Sequence, residues 1–558
     1  MANNNHKAGQ YTPPHTNQTF EELMAAPPIH YKEKKFGRLL NDAQANILRH
    51  HRSTYSACIF ISIKEKEKSK AAAWISELAK AGFFTSAYQQ FEDRANDIYA
   101  VNCLYLTSEG YQELDIEKYA PAKNEFPAFW EGMENRTSFD KRYLDEGMNK
   151  FGQNSSPLHA MLLLTNDDEQ ELKNSLNEVI NTGGINIGGN ILKVPPLHKW
   201  ADYYIQPGFI KRNAKGKAVE WFGYVDGISQ PKFFPNPVHF EYRNADLSNL
   251  NTVFVKDKGG SPFGVGSFLA FLKLEQDIAG FNKMVNAVKD KINNKNKALA
   301  GAYIMGRFRD GTPVTLSDAP SGNPGNGFDY HNIFRKKDHE YYNDKNGTRC
   351  PWHAHIRKAN PRMNGDGNGD NWELKKIVRR GILYNDGNKP KEEEPVKEKA
   401  NDMWDKKDNL WNEKDNLWGE KDKPRNVGML FMSFQASIQY QFEHILTWLH
   451  GNKTGKTITG KDPLTGTRHL MNPPLAYPKS WNTKSNKNKT PVKFSEPCVR
   501  LKGGSYFYAP SLSFLKNVAR YSRPAILKGP LPAIAKIANA PLAVDDGKYP
   551  LPALRLKV

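Results

Sequence analysis

Residues 55–63 read YSACIFISI, a run of β-branched and aromatic residues with the length of one strand. Residues 70–81, KAAAWISELAKA, follow it with helix-forming residues, and Gly82 ends that segment. A second strand-like run, IYAVNCLYL, occupies residues 98–106. The order predicts a strand, one helix and a second strand.

The same pattern returns further along the chain. Strands are predicted at residues 158–165, 266–273, 427–434 and 499–509, and helices at residues 108–114, 167–180, 277–287 and 438–449. Short strands separated by single helices indicate an α+β fold, in which an antiparallel sheet carries helices on one face. We therefore expect two similar α+β halves, joined near residues 232–262. The predicted organisation is an N-terminal arm (1–40), a first domain (41–235) and a second domain (236–558).

The composition fits a folded protein with a sizeable core. The chain has 558 residues, of which 39% are hydrophobic and 25% charged, and its formal net charge is +19. This charge favours anionic partners, but the lysines are scattered among Asp and Asn, so a solvated surface is preferred to a nucleic-acid site. The four cysteines lie far apart without a CxxC pair, which excludes a disulfide scaffold and a cysteine-only zinc module.

The sequence contains neither a membrane span nor a secretory leader by its pattern. Its apolar runs are far shorter than the roughly 18 residues that a spanning helix needs. Residues 1–14 are polar and lack the apolar centre of a signal peptide. A cytoplasmic location is therefore expected, with export left open.

A charged insert at residues 387–425 contains a short repeat. Trp404, Trp411 and Trp418 recur every seven residues, which would align them along one stripe of a helix. Such a stripe suits either a partner-binding helix or a surface helix that lies on its own protein. We favour the second interpretation, because two or three heptads are too few to specify an oligomer.

The segment WFGYVDGISQP, residues 221–231, contains Gly223, Asp226 and Gly227 in a Gly-x-x-Asp-Gly pattern. Glycines on both sides of a carboxylate allow the backbone to approach a flat ligand closely. Asp-Gly is also a common turn dipeptide, and by itself the pattern favours a tight turn.

The segment RCPWHAHIRKANPR, residues 349–362, offers candidate metal ligands. Cys350, His353 and His355 suggest zinc, but no fourth ligand with structural-site spacing lies nearby. A single histidine is sufficient for a haem iron, because the porphyrin supplies four nitrogens. Arg357 and Arg362 would then suit the anionic propionates. The alternative is a turn-rich surface loop with ordinary basic residues.

Two adjacent arginines, Arg379 and Arg380, stand in the segment IVRRGIL, residues 377–383. Successive residues of a strand point to opposite faces, so one guanidinium could face a site and the other solvent. A strand end with two exposed charges is the simpler interpretation.

Together these segments resemble the dye-decolourising (DyP-type) peroxidases. The matching stretches occur in the order of that family: NDAQANILR (41–49), GYVDGISQP (223–231), GSFLAFLKLEQD (266–277), CPWHAHIRKANPR (350–362), IVRRGILY (377–384), MLFMSFQASIQYQFE (429–443) and RLKGGSYFYAPS (500–511). The resemblance implies two ferredoxin-like α+β domains of the dimeric α+β barrel type, with haem b in the second.

The resemblance also implies roles for individual residues. His355 looks like the iron ligand, Asp226 like the acid–base residue and Arg379 like the arginine beside it. Arg379 is preferred to Arg380 because it directly follows the Ile-Val pair. Two further groups of residues are implied at the cofactor: Arg362, or alternatively Arg357, at a propionate, and Gly223 with Gly227 against the porphyrin.

At the acidic partner of the His355 imidazole the sequence departs from the pattern of the family. Relatives often carry an acid in the helix that contains Gln439 and Glu443. Since Gln439 is not acidic, Glu443 is the expected partner, unless the imidazole is more weakly supported.

The implied function is a haem-dependent peroxidase that uses hydrogen peroxide to oxidise dyes and phenolic compounds in one-electron steps. Its partners would be hydrogen peroxide and an organic reductant, with a homo-oligomer possible and no nucleic acid. The alternative is a haem storage, transfer or sensing protein with little turnover.

Overall fold

The structure is a computed structural model, and the ranges that it describes cover the core of the chain. These are residues 19–25, 30–95, 100–136, 157–234, 248–322, 325, 328, 330, 333–335, 340–342, 344–362, 372–387, 426–451, 453–454, 457–465, 474–482 and 488–522. The repeat with Trp404, Trp411 and Trp418 lies outside the described residues.

Within these ranges the chain forms both strands and helices. The strands are β1 Tyr55–Ile63, β2 Asn102–Leu106, β3 Ala160–Asn166, β4 Gly184–Ile187, β5 Asn190–Lys193, β6 Ala201–Phe209, β7 Val255–Lys256, β8 Val265–Gln276, β9 Ile333–Arg335, β10 Glu340–Tyr342, β11 Val378–Arg379, β12 Ile382–Asn385, β13 Val427–Gln435, β14 Lys453–Thr454, β15 Thr457–Ile458, β16 Leu475–Pro478, β17 Lys489–Val492 and β18 Val499–Ala509. The α-helices are α1 Phe20–Ala25, α2 Lys34–Asp42, α3 Lys68–Lys80, α4 Ala87–Ala95, α5 Ser108–Glu113, α6 Pro127–Glu131, α7 Glu169–Asn177, α8 Leu197–Trp200, α9 Ile278–Lys289, α10 Lys297–Met305, α11 His355–Ala359, α12 His444–His450 and α13 Leu512–Tyr521. A π-helical segment, Ile438–Glu443, leads directly into α12.

The principal sheet is antiparallel and closes on itself. Its strand order is β11-β13-β12-β6-β1-β3-β2-β18-β8-β7, and β13 also pairs with β8. That additional pairing joins the two ends of the sheet, so β13, β12, β6, β1, β3, β2, β18 and β8 form a barrel. The predicted antiparallel sheet is confirmed. The strands of the two expected α+β halves lie in one continuous sheet.

The barrel interior is a core of apolar and aromatic side chains. Phe60 on β1 packs against Phe271 on β8, with ring centroids 5.2 Å apart, although these two strands are not neighbours in the sheet. Tyr105 on β2 meets Phe434 on β13 in the same way, at 5.8 Å. These contacts cross the lumen, which is therefore filled by side chains rather than left as a channel.

Helices cover the outside of the barrel. Alternate residues of β1, such as Ile59 and Ile61, face outward into a second core that contains Trp74 of α3 and Leu515 of α13. This alternation follows from the two-residue period of a strand. Of the helices in the described ranges, none combines the length and apolarity needed to cross a bilayer.

The predicted N-terminal arm (1–40) is wrong over its described residues. Residues 20–25 and 34–42 are helical, and the side chains of Leu23, Phe36 and Leu39 are buried in the core that fills the barrel. The apolar residues of this segment are spaced like one face of a helix, and the high proportion of Asn, Pro and His around them obscured that pattern.

The seam between β13 and β8 gives a stability test. A Cβ atom at position 428 would lie 1.8 Å from the carbonyl oxygen of Leu274, so Gly428→Ala forces the two strands apart. We expect a loss of at least about 1–3 kcal/mol in the free energy of unfolding, measured by urea titration.

Gly37→Ala is the matched control, because a Cβ atom there meets nothing within 4 Å. It lies inside helix α2, where alanine should stabilise the protein by about 0.4–1 kcal/mol. Equal effects of the two substitutions would contradict the close approach at the seam.

Candidate functional site

The histidine at the start of α11 is held by a buried carboxylate. His355 Nδ1 lies 2.9 Å from Asp462 Oδ2, and the Asp462 side chain has no solvent exposure. Burial opposes ionisation of Asp462, but the neighbouring His355 and the hydrogen bonds from Thr465 and Leu464 prevail and lower its pKa. An ionised acceptor favours the tautomer with the proton on Nδ1, which leaves the Nε2 lone pair available to a metal.

Two packing contacts set the position of this histidine. Helix α10 ends at Gly306, whose φ of 97° is left-handed, and a Cβ atom there would lie 2.4 Å from the Ile356 side chain. On the other side, the Asp462 backbone N–H donates to the Leu449 carbonyl at the end of α12. The imidazole and its carboxylate are thus each fixed to a helix.

The expected acidic partner, Glu443, does not contact His355 in this structure. Its two carboxylate oxygens accept from Arg136, each at 2.8 Å, and one also accepts from the Tyr506 hydroxyl at 3.0 Å. Glu443 is therefore occupied by a separate ion pair, and Asp462 takes the position predicted for it. No local pattern marked Asp462, because it lies 107 residues beyond His355 in the chain.

The Gly-x-x-Asp-Gly segment forms a tight turn around Asp226. Gly223 and Gly227 have φ values of 87° and 80°, a region that favours glycine. The buried Glu220 carboxylate accepts the backbone N–H groups of Phe222 and Tyr224, both at 2.8 Å, and so fixes the start of the turn. Burial raises the pKa of Glu220, with Asp226 contributing in the same direction. Sequence reasoning missed this supporting role.

Arg379 contacts the loop that follows Asp226. Its Nη2 donates to the Ile228 carbonyl at 2.7 Å, and its backbone N–H donates to Gln230 Oε1 at 2.9 Å. Arg380 is buried elsewhere and donates to the carbonyl oxygens of Asn46 and Ile47. The two neighbouring arginines therefore face different surroundings, and Arg379 is the one that contacts the loop after Asp226. The expectation that the other would lie in solvent is wrong, because Arg380 is buried.

Arg362 contacts the same loop from the histidine segment. Its Nη2 donates to Ser229 Oγ at 2.7 Å, and Arg307 Nη2 reaches the same hydroxyl at 3.3 Å. Burial, together with the neighbouring charges of Arg362 and Arg379, lowers the pKa of Arg307 to about 10. Three guanidinium groups thus converge on residues 228–230, where they create a positive potential suited to an anion.

Arg357, the alternative to Arg362, is committed to a buried ion pair. Its Nη1 lies 2.8 Å from Asp344 Oδ2 and 2.6 Å from the Cys350 carbonyl oxygen, and both charged side chains are almost fully buried. This arrangement favours Arg362 over Arg357 as the contact for an external anion.

The other candidate ligands of this segment are buried. Desolvation lowers the pKa of His353 to about 3 and raises that of Cys350 to about 12. Among the described residues there is no group of three or more His, Cys, Asp or Glu side chains that could hold a metal ion.

Several known proteins and solved structures are similar to this chain. A multifunctional dye peroxidase, DyP2, of an Amycolatopsis species is 31% identical over 324 residues, which span 55% of this chain and 62% of that protein. A dye-decolorizing peroxidase, msp1, of Mycetinis scorodonius is 27% identical over 511 residues, 86% of this chain and 88% of the relative. The crystal structure of a DyP-type peroxidase of an Anabaena species superposes with a TM-score of 0.70 at 28% identity, over 90% of this chain and all of that one.

The proteins and solved structures to which this chain is similar are dye-decolorizing and DyP-type peroxidases, and these similarities support the DyP-type family. No family model matches the sequence. The alignment with the Amycolatopsis DyP-type peroxidase covers less than two thirds of that protein, whereas the structural match to the Anabaena DyP-type peroxidase covers its whole length.

The two candidate anion contacts can be separated by paired substitutions. We expect Arg357→Met to cost about 3–5 kcal/mol of unfolding free energy, because it leaves the Asp344 carboxylate buried without its cation. Arg362→Met loses its hydrogen bonds to Ser229 and Phe328, and we expect it to cost about 1 kcal/mol.

Urea titration of the protein without added cofactor measures both values. A loss for Arg362→Met as large as that for Arg357→Met would show that Arg362 is also a structural residue, and would contradict its assignment to an external anion.

Proposed function

We propose that the protein is a haem b peroxidase that uses hydrogen peroxide to oxidise dyes and phenolic compounds in one-electron steps. The observation that carries the proposal is the pairing of His355 with the buried Asp462, together with a loop that joins Asp226 to Arg379 and Arg362. The proposal also includes two ferredoxin-like domains that share the barrel, 41–235 and 236–558, with the haem in the second.

The residues fit the chemistry of this cofactor. His355 would be the protein ligand of the iron, and a single histidine is sufficient because the porphyrin supplies four nitrogens. Arg362 and Arg307, which share Ser229, would hold the propionate carboxylates through charge-assisted hydrogen bonds. The positive φ of Gly223 and Gly227 keeps that turn free of Cβ atoms, so it would lie close to the porphyrin.

When bound, the haem would supply an iron that takes up two oxidising equivalents from peroxide. The residues of this chain would transfer a proton and stabilise the charge that develops. The Asp226 carboxylate would accept a proton from one peroxide oxygen and return it to the other as the O–O bond breaks. The Arg379 guanidinium would stabilise the negative charge that grows on the departing oxygen.

The net charge of +19 affects which reductants the protein attracts. A positive surface attracts sulfonated or carboxylated aromatic compounds over several ångströms, and salt screens this attraction. The names of the relatives suggest dyes as substrates, and the positive charge of this chain favours anionic dyes among them.

Substitutions at the two proposed catalytic residues test the function. In haem-loaded protein we expect Asp226→Asn to abolish most peroxide turnover, since an amide cannot carry the proton. Arg379→Leu should lower the rate constant for the reaction with peroxide by about two to three orders of magnitude, the usual effect of removing a positioned donor. Arg520→Leu, on the exposed face of α13, is the control and should leave the rate unchanged.

Stopped-flow absorption of the Soret band after addition of peroxide measures these rates. A wild-type protein that binds haem but shows no response to peroxide would contradict the peroxidase and indicate haem storage or transfer. A protein that binds no haem would contradict both.

The carboxylate behind His355 provides a second test. We expect Asp462→Asn to lower haem affinity by about 10–100-fold, because an amide no longer raises the basicity of the imidazole. Asp257→Asn is the matched control, since Asp257 is an equally buried aspartate that accepts from the Ser511 backbone. Haem titration followed by absorption gives the affinities, and equal values for the two variants would refute the role of Asp462.

A further inference from the structure

One strand of the barrel carries buried polar atoms that lack hydrogen-bond partners. Ser433 and Gln435 on β13 have no solvent exposure. Ser433 Oγ, Gln435 Oε1 and Gln435 Nε2 make no hydrogen bond to any of the described residues. Native proteins leave few such atoms unsatisfied, because each one destabilises the fold.

Two other buried glutamines, Gln44 and Gln441, are bonded at both amide atoms. Gln44 accepts from the Leu104 N–H and donates to the carbonyl oxygens of Leu104 and Pro510. Gln441 accepts from the Ser437 N–H and donates to the carbonyl oxygens of Thr252 and Lys376. Gln90 Nε2 and Gln276 Oε1 are also unbonded, but each of these side chains is bonded through its other amide atom. Among the buried glutamines of the described residues, Gln435 is the one with neither atom bonded. Buried water is the partner that proteins commonly use for such groups.

The sheet register places these atoms next to Arg379. Arg379 on β11 is directly opposite Ser433, and Gln435 is directly opposite Phe268 on β8. Directly paired residues, and residues two apart on one strand, have side chains on the same face. Arg379, Ser433, Gln435 and Phe268 therefore lie on one face of the sheet, outside the barrel lumen.

This row ends at a cavity that opens to solvent. Phe268 lines a cavity of about 100 Å³ together with Ser437, Gln439 and Tyr440, and Tyr440 is 64% exposed. This volume holds several water molecules or one peroxide, because a single water needs roughly 10–15 Å³ by the same measure. A sulfonated dye would not fit.

We propose that Ser433 and Gln435 line a hydrated passage through which hydrogen peroxide reaches Arg379 from the cavity at Tyr440. This inference rests on the proposed peroxidase function. The hydroxyl and amide groups would replace the water shell of a small, uncharged peroxide as it passes between apolar neighbours. Gln435 and Ser433 would thereby restrict the oxidant to small peroxides, while bulky reductants act elsewhere.

A crystal structure of the wild-type protein tests the hydration directly. We expect ordered water within hydrogen-bond distance of Gln435 Oε1 or Nε2 and of Ser433 Oγ. A dry site at these atoms would overturn the passage, whatever the activity of the protein.

Two conservative variants test the transport. Gln435→Met keeps the volume of the side chain but removes its polar atoms, and Ser433→Ala removes one hydroxyl. We expect each to lower the second-order rate constant for hydrogen peroxide, Gln435→Met by about tenfold, which corresponds to one lost hydrogen bond along the path. Haem affinity and the Soret spectrum of the resting protein should not change.

Gln206→Met is the matched control. Gln206 is a buried glutamine on β6 that bonds to Lys273 and Asp386 instead of facing this passage. The Gln206→Met variant should be less stable than the wild type but should keep its second-order rate constant for hydrogen peroxide. An unchanged rate in Gln435→Met would overturn the passage, even with full activity in the wild type. If the wild-type protein does not react with peroxide, the proposed function is wrong instead. In that case the ordered water in the crystal structure alone tests whether the passage is hydrated.

Discussion

The hydrogen bond between His355 and Asp462 is the constraint on which the rest of the site depends. It fixes the ring tautomer, supplies negative charge behind the imidazole and ties α11 to the segment after β15. Asp462 can remain ionised in a fully buried position only because His355, Thr465 and Leu464 all donate to it or attract it. If this carboxylate were absent, the ring would be free to rotate and its nitrogen would be a weaker ligand.

The 226–230 loop is held in place in a similar way, by charged side chains from distant parts of the chain. Glu220 fixes its beginning, and Arg379 and Arg362 hold its backbone and its serine from two different parts of the chain. Burial lowers the pKa of Arg307 to about 10, and repulsion by the neighbouring Arg362 and Arg379 acts in the same direction. A dianionic cofactor would relieve this repulsion, and the closed barrel supplies the rigid support that keeps the cations in place.

Much of this arrangement could be predicted from the sequence, because it depends on local patterns. The strands at residues 55–63 and 499–509 were delimited correctly by their β-branched and aromatic residues, and the glycines of the 223–227 segment have the positive φ that their spacing suggested. Contacts between distant residues could not be predicted. Closure of the barrel depends on pairing between β13 and β8, and the partner of His355 depends on a loop far along the chain. The choice of Glu443 was wrong because sequence position cannot show that Arg136 already neutralises it.

Titration of haem into His355→Gly, with and without free imidazole, tests the central claim most directly. The account predicts that wild-type protein binds one haem with the absorption spectrum of an iron ligated by histidine. His355→Gly should lose that spectrum, and added imidazole should restore it by occupying the space beside Asp462. An unchanged spectrum in the variant without imidazole would contradict the account, because the iron would then have another ligand.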